Sequence, residues 1–165
     1  MQKTASYKIG FSGLKDGHHD FEFDLGEAFF AEREFSEASS GEVKVQVHLN
    51  KHPNMMEFTF ALKGTVVLPC DRCLQNLSLP VDVEEELIVK FGEEEDLDSE
   101  IWVLSENAYE LDLEQLLFEF VQLSLPLRKV HSKKDCDPEV LKRLQIEEDE
   151  NYDSRWDALK NLNLE

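Results

Sequence analysis

Alternating apolar and polar residues dominate the first half of the chain and predict β-strands. The apolar positions are Val43, Val45, Val47 and Leu49 in "GEVKVQVHLN" and Met56, Phe58, Phe60 and Leu62 in "MEFTFALKG". A period of two predicts half-buried antiparallel strands, with "NKHPN" as the hairpin loop between them. Shorter strands are expected in "YKIGF" and "HDFEFDL", a short helix in "GEAFFAERE", and a long strand from Leu77 to Val89.

The pattern changes to a helical period in the second half. An i, i+3, i+4, i+7, i+8 stripe is formed by Leu113, Leu116, Leu117, Phe120 and Val121. Asp112 is the expected N-cap and Pro126 the expected end of this helix. "DPEVLKRL" predicts another helix capped by Asp137, "EEDENYDS" an acidic linker, and "RWDALKNL" a closing amphipathic helix.

These elements predict an α+β fold, with an antiparallel β-sheet in the N-terminal part and helices segregated to the C-terminal part. A chain of 165 residues favours one domain over residues 1–165. We expect its sheet-rich part at 1–92, an acidic loop at 93–100 and its helical part at 111–165. "IWVLSENAYELD" lies between the last two and predicts a short strand pair or an irregular segment.

Charge and targeting signals narrow the function classes. With 17 basic and 36 acidic residues the net charge is −19, which argues against a general RNA or DNA binder because most of the surface repels phosphates. Acidity also simply favours solubility. No stretch approaches the roughly 20 apolar residues of a membrane span, and "MQKTASYKIGFSG" lacks the apolar run of a secretory signal. Three cysteines, an odd number, fit a reducing, cytoplasmic location.

The cysteine pair in "VLPCDRCLQNLSLP" is the sharpest chemical signal. Cys70 and Cys73 lie between two predicted strands, whereas a thioredoxin-like redox pair begins a helix within a βαβ unit. A C-x-x-C turn instead suits a metal knuckle, since it lets two thiolates converge on one tetrahedral ion. His131 and Cys136 can complete a Cys₃His zinc site. The alternative is that the thiols are ordinary turn and core cysteines and that His131 is a surface histidine.

A small basic cluster accompanies these residues. It comprises Arg72, Arg128, Lys129, Lys133 and Lys134. If the two loops meet in space, this cluster is the one positive region of a negative protein and can bind a phosphate backbone or an acidic protein surface. The alternative is that these side chains only offset neighbouring acidic residues as solvated surface.

The sequence contains no signature of a catalytic site. Gly10 and Gly13 lack the context of a phosphate-binding loop, and no serine stands in a nucleophile elbow. Acidic residues occur in runs that single out no acid–base pair. We therefore expect neither an enzyme nor a small-molecule substrate.

"LPCDRCL" is followed by a long strand, an acidic loop, "ELDLEQLLFEFVQLSLPLRKVH", "KDCDP" and "DSRWDALKNL". This order of motifs resembles the YceD family of large ribosomal RNA subunit accumulation proteins, and the resemblance spans roughly Gly64 to Leu164. Ser154 stands where proline is expected. The resemblance implies a role in the synthesis, processing or stability of large-subunit (23S) ribosomal RNA in bacteria.

Together these observations predict a non-enzymatic ribosome-biogenesis factor. Its expected partners are the large-subunit ribosomal RNA precursor or ribosomal proteins and assembly factors, with no membrane contact. A second hypothesis is an acidic chaperone-like module for a basic ribosomal protein, without RNA contact, because acidic runs complement basic partners.

Overall fold

A computed structural model describes residues 7–31, 33, 36–92, 101–132 and 134–150, with residues 145–150 described by their backbone only. Seven strands and three helices lie in these residues, and the strands form two sheets. The elements are β1 Lys8–Gly10, β2 Gly17–Leu25, α1 Glu27–Ala31, β3 Ser40–Lys51, β4 Met55–Pro69, β5 Asn76–Phe91, β6 Ile101–Leu104, β7 Glu110–Asp112, α2 Glu114–Ser124 and α3 Pro138–Glu150.

The larger sheet has the order β2-β3-β4-β5-β6. Strands β2, β3 and β4 pair antiparallel, with Val47 opposite Phe60 in the centre of the β3–β4 register. Strand β6 pairs parallel with β5, which makes this sheet mixed. A separate two-stranded sheet pairs β1 with β7, and an ion pair between Lys8 and Glu110 at 2.9 Å reinforces it.

The alternating residues of the sheet build the hydrophobic core. The apolar positions predicted in β3 and β4 are all buried, and α2 adds Leu116, Leu117 and Val121 to the same cluster. Phe60 of β4 contacts Phe120 of α2, with ring centroids 5.3 Å apart. Burial of this aromatic and aliphatic surface is the main stabilising contribution to the sheet.

Chain contacts divide the protein into two compact units. We call residues 1–68 and 78–128 the sheet unit, and residues 69–77 and 129–165 the knuckle unit. The whole hydrophobic cluster belongs to the sheet unit. The single-domain organisation therefore stays a prediction.

The predicted α+β class is confirmed, including the concentration of helices after the strands. The cap of α2 differs by one position: Leu113 is the N-cap, while the Asp112 carboxylate accepts a hydrogen bond from the Glu114 N–H at 3.0 Å. The expected acidic linker at 147–154 is wrong for its first four residues, which continue α3 to Glu150.

Several predictions fall outside the described residues. These are the acidic loop at 93–100, the remainder of the linker and the closing helix in "RWDALKNL". The segment "IWVLSENAYELD" contains two short strands, as one alternative proposed, but they pair with β5 and β1 and not with each other. No helix in the described part of the chain is long and apolar enough to cross a membrane.

Candidate metal centre

Cys70 is placed by the period-two register of β4. The inward positions Val66 and Leu68 are buried, and Cys70, two residues further on, is fully buried as well. The strand ends at Pro69, and the chain then turns back towards β5, which begins at Asn76. The sheet register thus directs the first thiol inward at the start of a tight turn.

The turn itself has the hydrogen bonds of a compact knuckle. The Leu74 N–H donates to the Cys70 carbonyl and the Cys70 N–H donates to the Gln75 carbonyl, each at 2.9 Å. Leu74 adopts a left-handed backbone conformation with φ of 61°. A branched side chain rarely occupies this region, so the hydrogen bonds of the turn must hold Leu74 there.

A second segment is joined to this turn by backbone hydrogen bonds. The Asp71 N–H donates to the Lys129 carbonyl at 2.7 Å, and the Lys129 N–H donates to the Asp71 carboxylate at 2.6 Å. This reciprocal pair fixes the position of His131, two residues after Lys129. The two loops therefore meet in space.

The four predicted ligands come together. Their ligand atoms, the sulfurs of Cys70, Cys73 and Cys136 and a ring nitrogen of His131, all lie within 4.8 Å of one another. The Cys73 Sγ is 3.5 Å from the His131 Nδ1. This group is close enough to hold a metal ion.

The orientation of His131 suits ligation. Its Nε2 lies 3.0 Å from the carbonyl oxygen of Asn76. A carbonyl can only accept, so this contact places the ring proton on Nε2 and leaves the Nδ1 lone pair directed towards the sulfurs. An outer hydrogen bond of this kind is the usual device that fixes a metal-binding imidazole.

Backbone donors surround two of the sulfurs. Burial raises the pKa of Cys70, but N–H groups of Cys73, His131 and Arg72 outweigh it and lower the pKa to about 6. Burial likewise raises the pKa of Cys73, and the N–H groups of Gln75 and Asp137 lower it below the usual value. Such N–H···S contacts stabilise thiolates, the form in which cysteine binds metals.

The other two ligands have raised pKa values. The hydrogen bond with Cys73 makes the largest contribution to the raised pKa of His131, and the hydrogen bond with Cys70 adds to it. Burial, followed by the hydrogen bond with Cys73, raises the pKa of Cys136, and a hydrogen bond from the Arg72 side chain partly opposes this. A cation at the centre reverses this preference for protons, because it stabilises deprotonated ligands directly.

The start of α3 holds the fourth ligand. Asp137 caps the helix, since its carboxylate accepts a hydrogen bond from the Glu139 N–H at 2.8 Å. On the other side of Cys136, the Ser132 hydroxyl donates to the Asp135 carboxylate at 2.6 Å. Helix capping and this short hydrogen bond together restrict the loop that carries Cys136.

The donor set fits a metal ion with a structural role. Three sulfurs and one imidazole would complete a tetrahedral shell and would leave no open position for water or substrate. One further observation agrees with a metal: the Arg72 Nη1 is buried and has no hydrogen-bond acceptor in the described chain. A net negative centre supplies the charge that this guanidinium lacks.

The predicted basic residues divide into groups. Arg72, Lys129 and Lys134 belong to the knuckle unit, where Arg72 and Lys129 are half-buried and Lys134 is exposed. Arg128 is exposed and belongs to the sheet unit. Lys133 lies outside the described residues.

Two residues of the centre were not found from the sequence. Asp71 joins the two segments and Asn76 orients His131. Neither role has a sequence signal, because the partners are 58 and 55 positions away.

Comparison with known proteins completes the description of this chain. No curated protein and no solved structure matches it. One family model matches residues 58–163 of the 165, a span that contains all four candidate ligands. With nearly two thirds of its length matched, the chain belongs to the YceD family, whose description is large ribosomal RNA subunit accumulation protein.

Proposed function

We propose that this protein is a non-enzymatic ribosome-biogenesis factor that supports the synthesis, processing or stability of large-subunit ribosomal RNA, and that a zinc ion organises its contact region. Membership of the YceD family is the observation that carries the proposal. The four-ligand cluster lies within the residues that the family model matches, which supports a shared role for it.

Zinc is the metal that the donor atoms favour. Thiolates and imidazole are its preferred ligands, at about 2.3 Å for sulfur and 2.0–2.1 Å for nitrogen. Tetrahedral geometry then separates a sulfur from a nitrogen by about 3.5 Å, and the Cys73 Sγ lies 3.5 Å from the His131 Nδ1. Hard oxygen-binding ions such as magnesium find no ligand of their kind in this set.

The metal would join segments that are far apart in sequence. Cys70 and Cys73 belong to the β4–β5 turn, whereas His131 and Cys136 belong to the loop between α2 and α3. Holding both segments together also holds the basic residues that flank them. A structural ion can thus position a recognition surface without taking part in chemistry.

The local charge of this region differs from that of the whole chain. Residues 69–77 and 129–144 contain six basic and four acidic residues, whereas the chain carries −19. Three of those acidic side chains also serve the local structure: Asp71 binds the Lys129 N–H, Asp135 the Ser132 hydroxyl, and Asp137 caps α3. The acidic run at 147–150 follows directly.

This contrast favours a confined RNA contact. Phosphates are attracted to a region with excess lysine and arginine and repelled by acidic surface within a Debye length of about 8–10 Å. The proposed contacts are Arg128, Lys129, Lys133 and Lys134. The same acidic surface would discourage indiscriminate RNA binding, which suits a factor that recognises one precursor.

Crosslinking followed by affinity purification tests this function. The tagged protein is recovered from growing cells, its RNA is sequenced, and its proteins are identified. The variant Arg128→Glu/Lys134→Glu replaces two exposed cations, and Lys44→Glu/Lys90→Glu is the matched control because both lysines are exposed on strands of the sheet unit.

We expect precursor large-subunit RNA to be enriched with the wild type and the control, and to fall several-fold with the first variant. Equal enrichment with both variants would rule out the proposed contacts. Recovery of ribosomal proteins without RNA would make the partner a protein, and recovery of neither would contradict the proposed function.

A further inference from the structure

Arg72 occupies the second of the two positions between the knuckle cysteines. We infer that Arg72 is a positioning residue of the metal centre, where its guanidinium balances the charge of the thiolates and holds the Cys136 sulfur, and that it is not an RNA contact. This inference rests on the proposed metal site. It removes Arg72 from the basic cluster that the sequence analysis assembled.

The Arg72 side chain is directed towards the candidate ligands. Asp71, the other residue between the cysteines, is exposed, whereas Arg72 is half-buried. The Arg72 side chain lies close enough to Cys136, which is only 4% exposed, to oppose the rise in the pKa of its thiol. The chain therefore turns Asp71 outward and Arg72 inward, towards the ligands.

The Arg72 Nη1 is buried and has no hydrogen-bond acceptor among the described residues. A guanidinium stays charged under all ordinary conditions, and burying a charge without a partner is strongly unfavourable. We assign the thiolates of the ligands as its compensating charge.

The guanidinium of Arg72 would also balance the charge of a metal-loaded centre. Three thiolates contribute −3, a divalent ion contributes +2 and a neutral imidazole contributes nothing, so the loaded centre carries −1. One guanidinium brings the sum to zero. The buried guanidinium of Arg72 would thus be matched in charge by the loaded centre.

Arg72 also contributes through its backbone. Its N–H lies 3.5 Å from the Cys70 Sγ, so the residue also serves the first ligand through its main chain. Hydrogen bonds to ligand atoms orient them and tune their charge, and their loss typically weakens metal binding by about 10–100-fold. The variants below keep the backbone donor and change only the side chain.

Metal affinity of the full-length protein tests the inference. Zinc is titrated against a competing chelator in the wild type, Arg72→Met, Arg72→Lys and Lys134→Met. Lys134 is the matched control because it is an exposed cation of the same unit. Cobalt(II) in place of zinc gives an independent optical signature of the Cys₃His geometry.

We expect Arg72→Met to lower zinc affinity by about 10–100-fold and to alter the cobalt spectrum. Arg72→Lys should fall between Arg72→Met and wild type, because lysine keeps the charge and loses the planar fork. Lys134→Met should keep the wild-type zinc affinity and cobalt spectrum, because Lys134 is exposed. At saturating zinc, Arg72→Met should recover as much precursor RNA as the wild type.

Wild-type zinc affinity in Arg72→Met would overturn the inference, as would an equal loss in Lys134→Met. Lost RNA recovery with unchanged zinc affinity would return Arg72 to the contact surface. If Arg72→Met fails to fold, the test rests on Arg72→Lys. Wild-type zinc affinity in Arg72→Lys would exclude a role for the planar guanidinium. Failure of the proposed function appears separately, as absent RNA recovery with the wild type.

Discussion

The sheet unit and the knuckle unit are built on different physical principles. Every residue of the hydrophobic cluster lies in the sheet unit, whereas the buried residues described in the knuckle unit are Cys70, Leu77 and Cys136. Two of these three are candidate metal ligands. The sheet unit is therefore stabilised by apolar burial, whereas the described part of the knuckle unit is held by hydrogen bonds, to which the proposed metal would add.

The difference shows why a cluster of four side chains can matter as much as a large core. A short segment cannot bury enough apolar surface to offset the conformational entropy lost on folding. Structural zinc replaces that contribution in small units. The two units should consequently respond to different perturbations.

Phe60→Ala should produce the largest loss of stability in the sheet unit. Phe60 is fully buried and contacts Phe58 and Phe120, so its removal leaves a cavity in the centre of the core. We expect the free energy of unfolding to fall by about 3–5 kcal/mol. Urea denaturation followed by circular dichroism measures this.

Lys63→Ala is the control for that substitution. Lys63 is an exposed β4 residue whose ion pair with Asp82 is solvent-accessible on both sides. Its loss should change stability by no more than about 0.5 kcal/mol. Similar losses in the two variants would contradict the placement of the core.

Gly64→Ala should destabilise the same unit by a smaller amount. Gly64 lies opposite Val43 in the β3–β4 pair, and an added Cβ would come within 2.6 Å of the Val43 Cα. Backbone atoms cannot move aside cheaply, so we expect a loss of about 1–3 kcal/mol. The melting temperature reports this change.

Gly10→Ala is the matched glycine control, since an added Cβ there meets nothing within 4 Å. It should shift the free energy of unfolding by less than about 1 kcal/mol. Equal destabilisation by the two substitutions would show that close backbone approach at Gly64 is not the cause.

Metal affinity should depend on pH with a defined sign. The pKa of Cys70 is lowered to about 6, whereas burial raises the pKa of the Cys136 thiol above its usual range. At pH 7.5 Cys136 therefore carries a proton that must leave when metal binds. Affinity should rise with pH by about tenfold per unit for each proton released.

The dependence of metal affinity on pH should be steeper in acid. Below pH 6 Cys70 is protonated as well, and the raised pKa of His131 adds a further competing proton. Chelator competition between pH 5.5 and 8.5 measures the slope. An affinity that does not change with pH would contradict thiolate and imidazole ligation.

The sequence predicted the elements whose residues carry their own periodic signal. The alternation in β3 and β4 and the stripe in α2 reflect burial on one face, which a local pattern records. The parallel pairing of β6 with β5 and the pairing of β1 with β7 have no local signal. The latter joins Lys8 to Asp112 and depends on tertiary packing.

The candidate site was likewise predictable only where a residue carries its own sequence signal. Its ligands were found because cysteine and histidine are rare and chemically distinctive. The inward turn of Arg72, the Asp71 link and the Asn76 contact were not found, since each depends on a partner more than fifty positions away. Charged residues close in sequence were grouped together, although the fold separates their roles.

Hydrogen–deuterium exchange of the full-length protein, with zinc bound and after chelation, tests the central claim most directly. Elemental analysis of the same sample should give about one zinc per chain. Chelation should remove protection from exchange in residues 69–77 and 129–144, while β3 and β4 stay protected. Unchanged exchange in both units, or simultaneous loss of protection in both, would contradict the account.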